Sequence, residues 1–196
     1  MDVLSAIATR RSIGKVKEDP VPSELIHQIL EAGTWAPSHF RTEPWRFFVL
    51  TGDARKALGK TLASLVEKTL EDPNSEESQK RLEREENKPL RAPVIIAVAV
   101  EPTTANKRVM MKEEVAAVCA AVQNMLLTAH ALGLGAIWRT GESCYSNEVK
   151  ELFTLSSESE MVGLLYIGYP DMKEMTGKRQ AVSAVTTWLE NEEDFA

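Results

Sequence analysis

Val94–Val100 reads VIIAVAV, and this run decides the fold class. Seven apolar residues in succession, with no polar position between them, form a strand buried on both faces. Such a strand needs cover above and below. The next long pattern, Lys112–Leu132, is rich in Ala and apolar nearly all round, with Gly133 placed to end it. A helix of that kind lies in the core or at a subunit interface. Further along, Ala136–Thr140 (AIWRT) reads as a short strand and Val149–Phe153 as a helix. Met161–Ile167 (MVGLLYI) is a second buried strand, ended by Gly168-Tyr169-Pro170, and Ala184–Leu189 (AVTTWL) is expected to be a last one.

Working back from Val94, a helical pattern begins at Ala54 with Leu58, Leu62, Leu65 and Val66 on one face. Arg46–Thr51 (RFFVLT) is a buried strand, with Gly52-Asp53 as turn and cap. Ser23 caps a helix carrying Leu25, Ile26, Ile29 and Leu30, which stops before Pro37 because a residue preceding proline is pushed out of the α region. Val3, Leu4, Ile7 and Ala8 give a short first helix. The order lacks a regular βαβ alternation, so the class is α+β, one sheet between helical layers.

A chain of 196 residues is expected to be one domain, or one domain with an insertion. The candidate insertion is 71–91, with seven acids, five bases and only Leu82 and Leu90 as large apolar residues. It reads as a solvated helical excursion able to bury little, with Asn74 and Glu77 resembling a capping box. Apolar residues at 43% and charged residues at 27% fit a globular protein. A net charge of -6 argues against a nucleic-acid partner. Cys119 and Cys144 form no disulfide framework, no leader-like segment opens the sequence, and no apolar run nears the roughly 18 residues of a membrane span. A cytoplasmic protein is expected.

Several chemistries leave no trace. There is no GxGxxG, Walker loop or GxSxG elbow, and His27, His39 and His130 have no metal-ligand spacing. Cys119 sits in an Ala/Val helix as a packing residue, and Cys144 has no basic neighbour to activate it. An enzyme-like architecture without its own acid–base or nucleophile set leaves the chemistry to a cofactor.

Three segments remain. Arg10-Arg11-Ser12 sets two guanidinium groups and a hydroxyl together, suited to a phosphate, although two arginines ending a helix also complement its dipole. Trp35–Phe48 (WAPSHFRTEPWRFF) is a proline-ended helix, a polar loop and a strand opened by Pro44-Trp45. Gly133–Gly141 (GLGAIWRTG) is a helix terminator, a short strand and a turn. Each also fits a purely structural connection.

Together and in this order they resemble the nitroreductase family of FMN-dependent oxidoreductases, over nearly the whole chain and closest to its small branch. The resemblance implies a central, mostly antiparallel sheet flanked by helices, in an intertwined homodimer with FMN sites at the subunit interface. It implies that Arg10, Arg11 and Ser12 hold the FMN phosphate and ribityl, and that Arg179 adds a second phosphate contact. Trp138, Arg139 and Thr140 line the isoalloxazine, and Trp35 and His39 reach it from the other subunit. NADH or NADPH is the implied hydride donor, and a nitroaromatic, quinone or related small molecule the acceptor. No side chain of the protein is itself catalytic, and no metal, membrane or nucleic acid takes part.

The sequence departs from the family where many members carry a base two after the Ser: here stands Gly14, with Lys15 the nearest substitute. Arg41 and Glu43 stand where many members have Asn and Gln. Other tasks on the same scaffold are flavin destruction, reductive dehalogenation, or carrying or sensing flavin with Phe40 closing the ring face. A helical interaction protein using 71–91 as a docking arm is a further reading.

Overall fold

The computed structural model describes residues 1–103, 107–173 and 175–195. Seven helices and four strands are named here: α1 Val3–Thr9, α2 Ser23–Thr34, β1 Trp45–Leu50, α3 Ala54–Glu67, α4 Glu76–Glu86, β2 Val94–Val100, α5 Met111–Ala131, β3 Gly135–Arg139, α6 Glu142–Tyr145, α7 Asn147–Leu152 and β4 Glu160–Gly168. The strands form one antiparallel sheet in the order β1-β2-β4-β3. Trp45 pairs with Val100, Val94 with Ile167, and Gly135 with Gly168.

Val94–Val100 lies at the centre, and none of its residues is more than 1% exposed. Side chains alternate across a strand, so this one run feeds two cores. Val94, Ile96, Val98 and Val100 meet Ile26 and Ile29 of α2 and Val118, Val122 and Met125 of α5. Ile95, Ala97 and Ala99 meet Leu58 and Leu62 of α3 and Val149 of α7. The α+β expectation of a sheet between helical layers therefore holds. No helix among the described residues is long and apolar enough to cross a membrane.

Three expectations need correction. Ala184–Leu189 is not a strand: a 3-10 turn spans Val182–Ala184, and Val185, Trp188 and Leu189 are exposed. A strand needs a ladder, and no described strand runs beside this one. The cap of α4 is Ser75 rather than Asn74: Ser75 Oγ accepts from the Ser78 N–H at 3.3 Å, while the Asn74 N–H donates to the Asp72 carboxylate at 3.0 Å in the turn before the helix. The excursion is helical as expected, yet it buries more than its composition suggests. It rests backbone-first on α3, where a Cβ on Gly59 would stand 2.0 Å from the Glu86 carbonyl oxygen. Ser78, Glu85 and Pro89 are buried.

Candidate functional site

β3 is an edge strand, and its free edge organises the site. The chain leaving α1 lies along it, with Ser12 bridged in parallel to Ala136 and the Ile13 N–H donating to the Ala136 carbonyl at 2.9 Å. This places Arg10-Arg11-Ser12 at the start of β3. A Cβ on Gly135 would lie 2.7 Å from the Ile13 side chain, so the close approach requires glycine there.

At that end the charges accumulate. Burial first, then the fields of Arg11 and Arg179, lower the Arg10 guanidinium's affinity for its proton. Among the described residues, no carboxylate lies within ion-pair distance of Arg10, Arg11 or Arg179. The two neighbouring arginines divide their work. Arg11 Nη1 donates to the Ala8 and Arg10 carbonyls at 2.8 and 2.7 Å, closing the last turn of α1, while its buried Nε has no partner. Gly177 passes over that guanidinium so closely that a Cβ there would stand 2.1 Å from Nη2. Arg10 is half-buried beside it.

At the far end of β3 stand Trp138, Arg139 and Thr140, with the chain turning at Gly141 (φ 126°), where only glycine is unstrained. The Trp138 indole lies on Gly163 and donates to the Val162 carbonyl at 3.1 Å. One cavity of about 450 Å³ opens between Trp138, Val115, Cys119 and Tyr145. Another of about 500 Å³ is walled by Arg139, Thr140, Ser143, Tyr166, Glu85 and Lys88. The Arg139 guanidinium sits 5.2 Å from the Tyr166 ring centre, with its Nε buried and unpartnered. Burial pushes the Tyr166 hydroxyl up to about 12, against the opposing pull of Arg139, so it stays a neutral donor. Burial likewise pushes the Cys144 thiol up to about 12 and raises Cys119, so neither is a thiolate nucleophile near neutral pH.

Glu85, Lys88 and Tyr166 were not foreseen in this wall. The i,i+3 spacing of Glu85 and Lys88, which form an ion pair, was the one signal available. Lys15, the nearest substitute for a base at position 14, pairs with Asp171 at 2.6 Å. Across from Gly14, Arg139 Nη2 and the Ile137 side chain each lie 3.9 Å from the glycine's Cβ position.

Trp35 and His39 are not brought to this place within one chain. They precede β1, the opposite edge of the sheet from β3. Three strand spacings separate those edges, about 14 Å. Trp35 is 81% exposed, and the exposed His39 ring packs edge-on to Phe40 at 4.2 Å. Arg179 reaches Arg10 electrostatically from the stretch after β4.

The family profile described as Nitroreductase family matches residues 7–169. YdjA of Escherichia coli K12, classed by name among the NAD(P)H nitroreductases, is 34% identical over 90% of this chain and 92% of its own. A nitroreductase-like protein of Bacillus cereus superposes with a TM-score of 0.81 at 28% identity, covering 97% of both chains. A Desulfovibrio desulfuricans protein, solved in complex with FMN, has a TM-score of 0.69 at 28% identity over 97% of this chain and 98% of its own.

Proposed function

This chain belongs to the nitroreductase family, and from that premise we propose that it is an FMN-dependent NAD(P)H oxidoreductase acting as a homodimer. The observation that carries the reading is the set of Arg10, Arg11 and Arg179, gathered at the start of β3 with no carboxylate of the described residues within ion-pair distance. Three like charges at one place call for an anion, and a phosphate accepts from guanidinium groups by charge-assisted bonds. The buried, unpartnered Nε atoms of Arg11 and Arg139, one at each end of β3, fit a ligand that spans the strand.

In this reading Arg10 and Arg179 hold the FMN phosphate, Arg11 props that corner, and Ser12 adds a hydroxyl. Trp138, Arg139 and Thr140 line the ring, with Thr140 just beyond the last paired residue of β3, so its N–H is not committed to the ladder. FMN, when bound, supplies reversible two-electron transfer between a nicotinamide donor and an oxidised acceptor. The protein's part is to bind, orient and surround that group with fixed donors. Trp35 and His39, stranded at the other sheet edge, come from the second protomer. Exposed Val3, Leu4 and Ile7 on α1, and Val182, Val185 and Trp188 in the C-terminal stretch, provide apolar surface for that association. Nitroaromatics, quinones or related small acceptors are the expected oxidants.

The test begins with purified protein. It is expected to be yellow and to release FMN on denaturation, and anaerobic mixing with NADH or NADPH should bleach it. Initial rates against donor and acceptor should then give parallel lines, since one pocket serves both in turn. Intersecting lines would count against that shared pocket. A colourless protein with no affinity for added FMN would overturn the reading.

A further inference from the structure

Glu114 is 0% exposed, a carboxylate taken wholly out of water in the first turn of α5. Burying such a charge is costly unless its oxygens are bonded. Both are engaged: Oε1 accepts from Thr42 Oγ1 at 2.5 Å, and Oε2 from the Thr103 N–H at 3.3 Å. Thr42 precedes β1 and Thr103 follows β2. One side chain of α5 therefore joins the entry of one strand to the exit of its neighbour.

The loop that Thr42 belongs to is unusual. Phe40, Arg41 and Glu43 have φ of 54°, 55° and 49°, left-handed values that side chains other than glycine's rarely adopt. Such conformations persist where the surroundings over-determine them. Within the loop, Ser38 Oγ accepts from the Glu43 N–H at 3.3 Å, and the Ser38 and His39 carbonyls accept from the Arg41 and Thr42 N–H groups at 3.2 and 3.3 Å. These bonds shape the loop without tying it to the body. The Thr42–Glu114 bond provides that tie. Ten residues along α5, Asn124 Nδ2 donates to the Ala32 carbonyl at 3.1 Å, near the end of α2. The helix thus grips the chain on both sides of Trp35–Phe40, where Trp35, His39 and Phe40 are exposed.

We propose that Glu114 is a positioning residue, which acts through Thr42 to set where the Trp35–Phe40 segment, and with it His39, meets the flavin site of the second protomer. This rests on the shared-site reading above. An apolar pair in the same volume would spare the desolvation but would select no single loop conformation, whereas a buried, bonded carboxylate accepts only the arrangement that satisfies it. Thr103, just past β2, is held by the same carboxylate, so Glu114 fixes the loop relative to the end of that strand.

Three variants test it: Thr42→Val, Thr42→Ser and Glu114→Gln, each read by FMN Kd, by visible circular dichroism of the bound flavin, and by the thermal midpoint of the flavin-free protein. Thr42→Val and Glu114→Gln are expected to weaken FMN binding about tenfold each and to change the flavin dichroism. Thr42→Ser should keep both at wild-type values. The Thr42→Val/Glu114→Gln pair should lose less than the two single losses added together, since the two side chains are in direct contact. If Thr42→Val does not fold, Thr42→Ala removes the hydroxyl without crowding and carries the same readouts. A fall in the thermal midpoint with wild-type Kd and dichroism makes Glu114 a scaffold residue only and overturns the proposal. Wild-type protein that binds no FMN overturns the shared-site reading and this proposal together, whereas flavin-binding wild type with silent variants overturns this proposal alone.

Discussion

The indole nitrogen of Trp138 lies 2.0 Å from the point where a Cβ on Gly163 would stand, so the bare backbone of β4 is what lets the ring lie flat between the two cavities. Gly163→Ala forces the ring or the strand to move. Overpacking of this kind costs about 1–3 kcal/mol, which for a chain of this size lowers the thermal midpoint by about 2–12 °C. Trp138→Leu in the same chain removes the obstructing ring, so the double mutant should lose less than the two singles added together. Strictly additive losses in a thermal melt would show that the two residues are not in contact.

Arg10 and Arg11 should separate by the kind of loss they cause. Arg10→Ala removes the proposed phosphate contact and is expected to weaken FMN binding about 10–100-fold. It also relieves repulsion from Arg11 and Arg179, so the flavin-free protein should melt no lower than wild type. Arg11→Ala removes two bonds to the end of α1 and should lower the melting point of the flavin-free protein. Titration with FMN and thermal melts of both variants decide the matter. Unchanged FMN affinity in Arg10→Ala would remove the phosphate assignment.

The charged segment 71–91 is attached to the fold through Gly59. An added Cβ would meet a backbone carbonyl, which cannot swing aside as a side chain end can. Gly59→Ala should therefore push α4 off α3 and cost about 1–3 kcal/mol, read as earlier unfolding in urea. Because Glu85 and Lys88 of this segment wall the cavity beside Arg139, acceptor preference should shift as well. Wild-type stability in Gly59→Ala would mean that the two helices are not in backbone contact.

What the sequence made legible follows the range of each signal. Val94–Val100 announced itself because a seven-residue apolar run made mostly of Val and Ile favours a buried strand over a helix, and the helix after it because its pattern runs for about six turns. Short elements fared worse. Four-residue α6 has no period to read, and Ala184–Leu189 has strand composition without a strand to pair with. Within the site, Arg10-Arg11-Ser12 and Trp138-Arg139-Thr140 could be found as local runs. The contacts that relate them could not: that Arg11 turns back onto α1, that Arg139 comes close to Gly14, and that Glu114 meets Thr42 across 72 residues are properties of the packed chain.

The opposite placement of β1 and β3 leads to the last prediction. Trp35 and His39 lie before one edge of the sheet, and Arg10 and Trp138 along the other. Within this chain they lie at opposite edges of the sheet, and the two-fold axis of the proposed homodimer would set the first edge of one protomer against the second edge of its partner. Consider a dimer of one Arg10→Ala chain and one His39→Ala chain, isolated by different tags. If the site is shared, one site carries both lesions and the other is wild type. If each chain builds its own site, both sites carry one lesion and neither is intact. With each mutant homodimer impaired, the shared arrangement gives about half the wild-type FMN sites and activity, by the two-fold symmetry of such an interface. Activity no greater than the mean of the two mutant homodimers would place His39 outside the site that Arg10 serves.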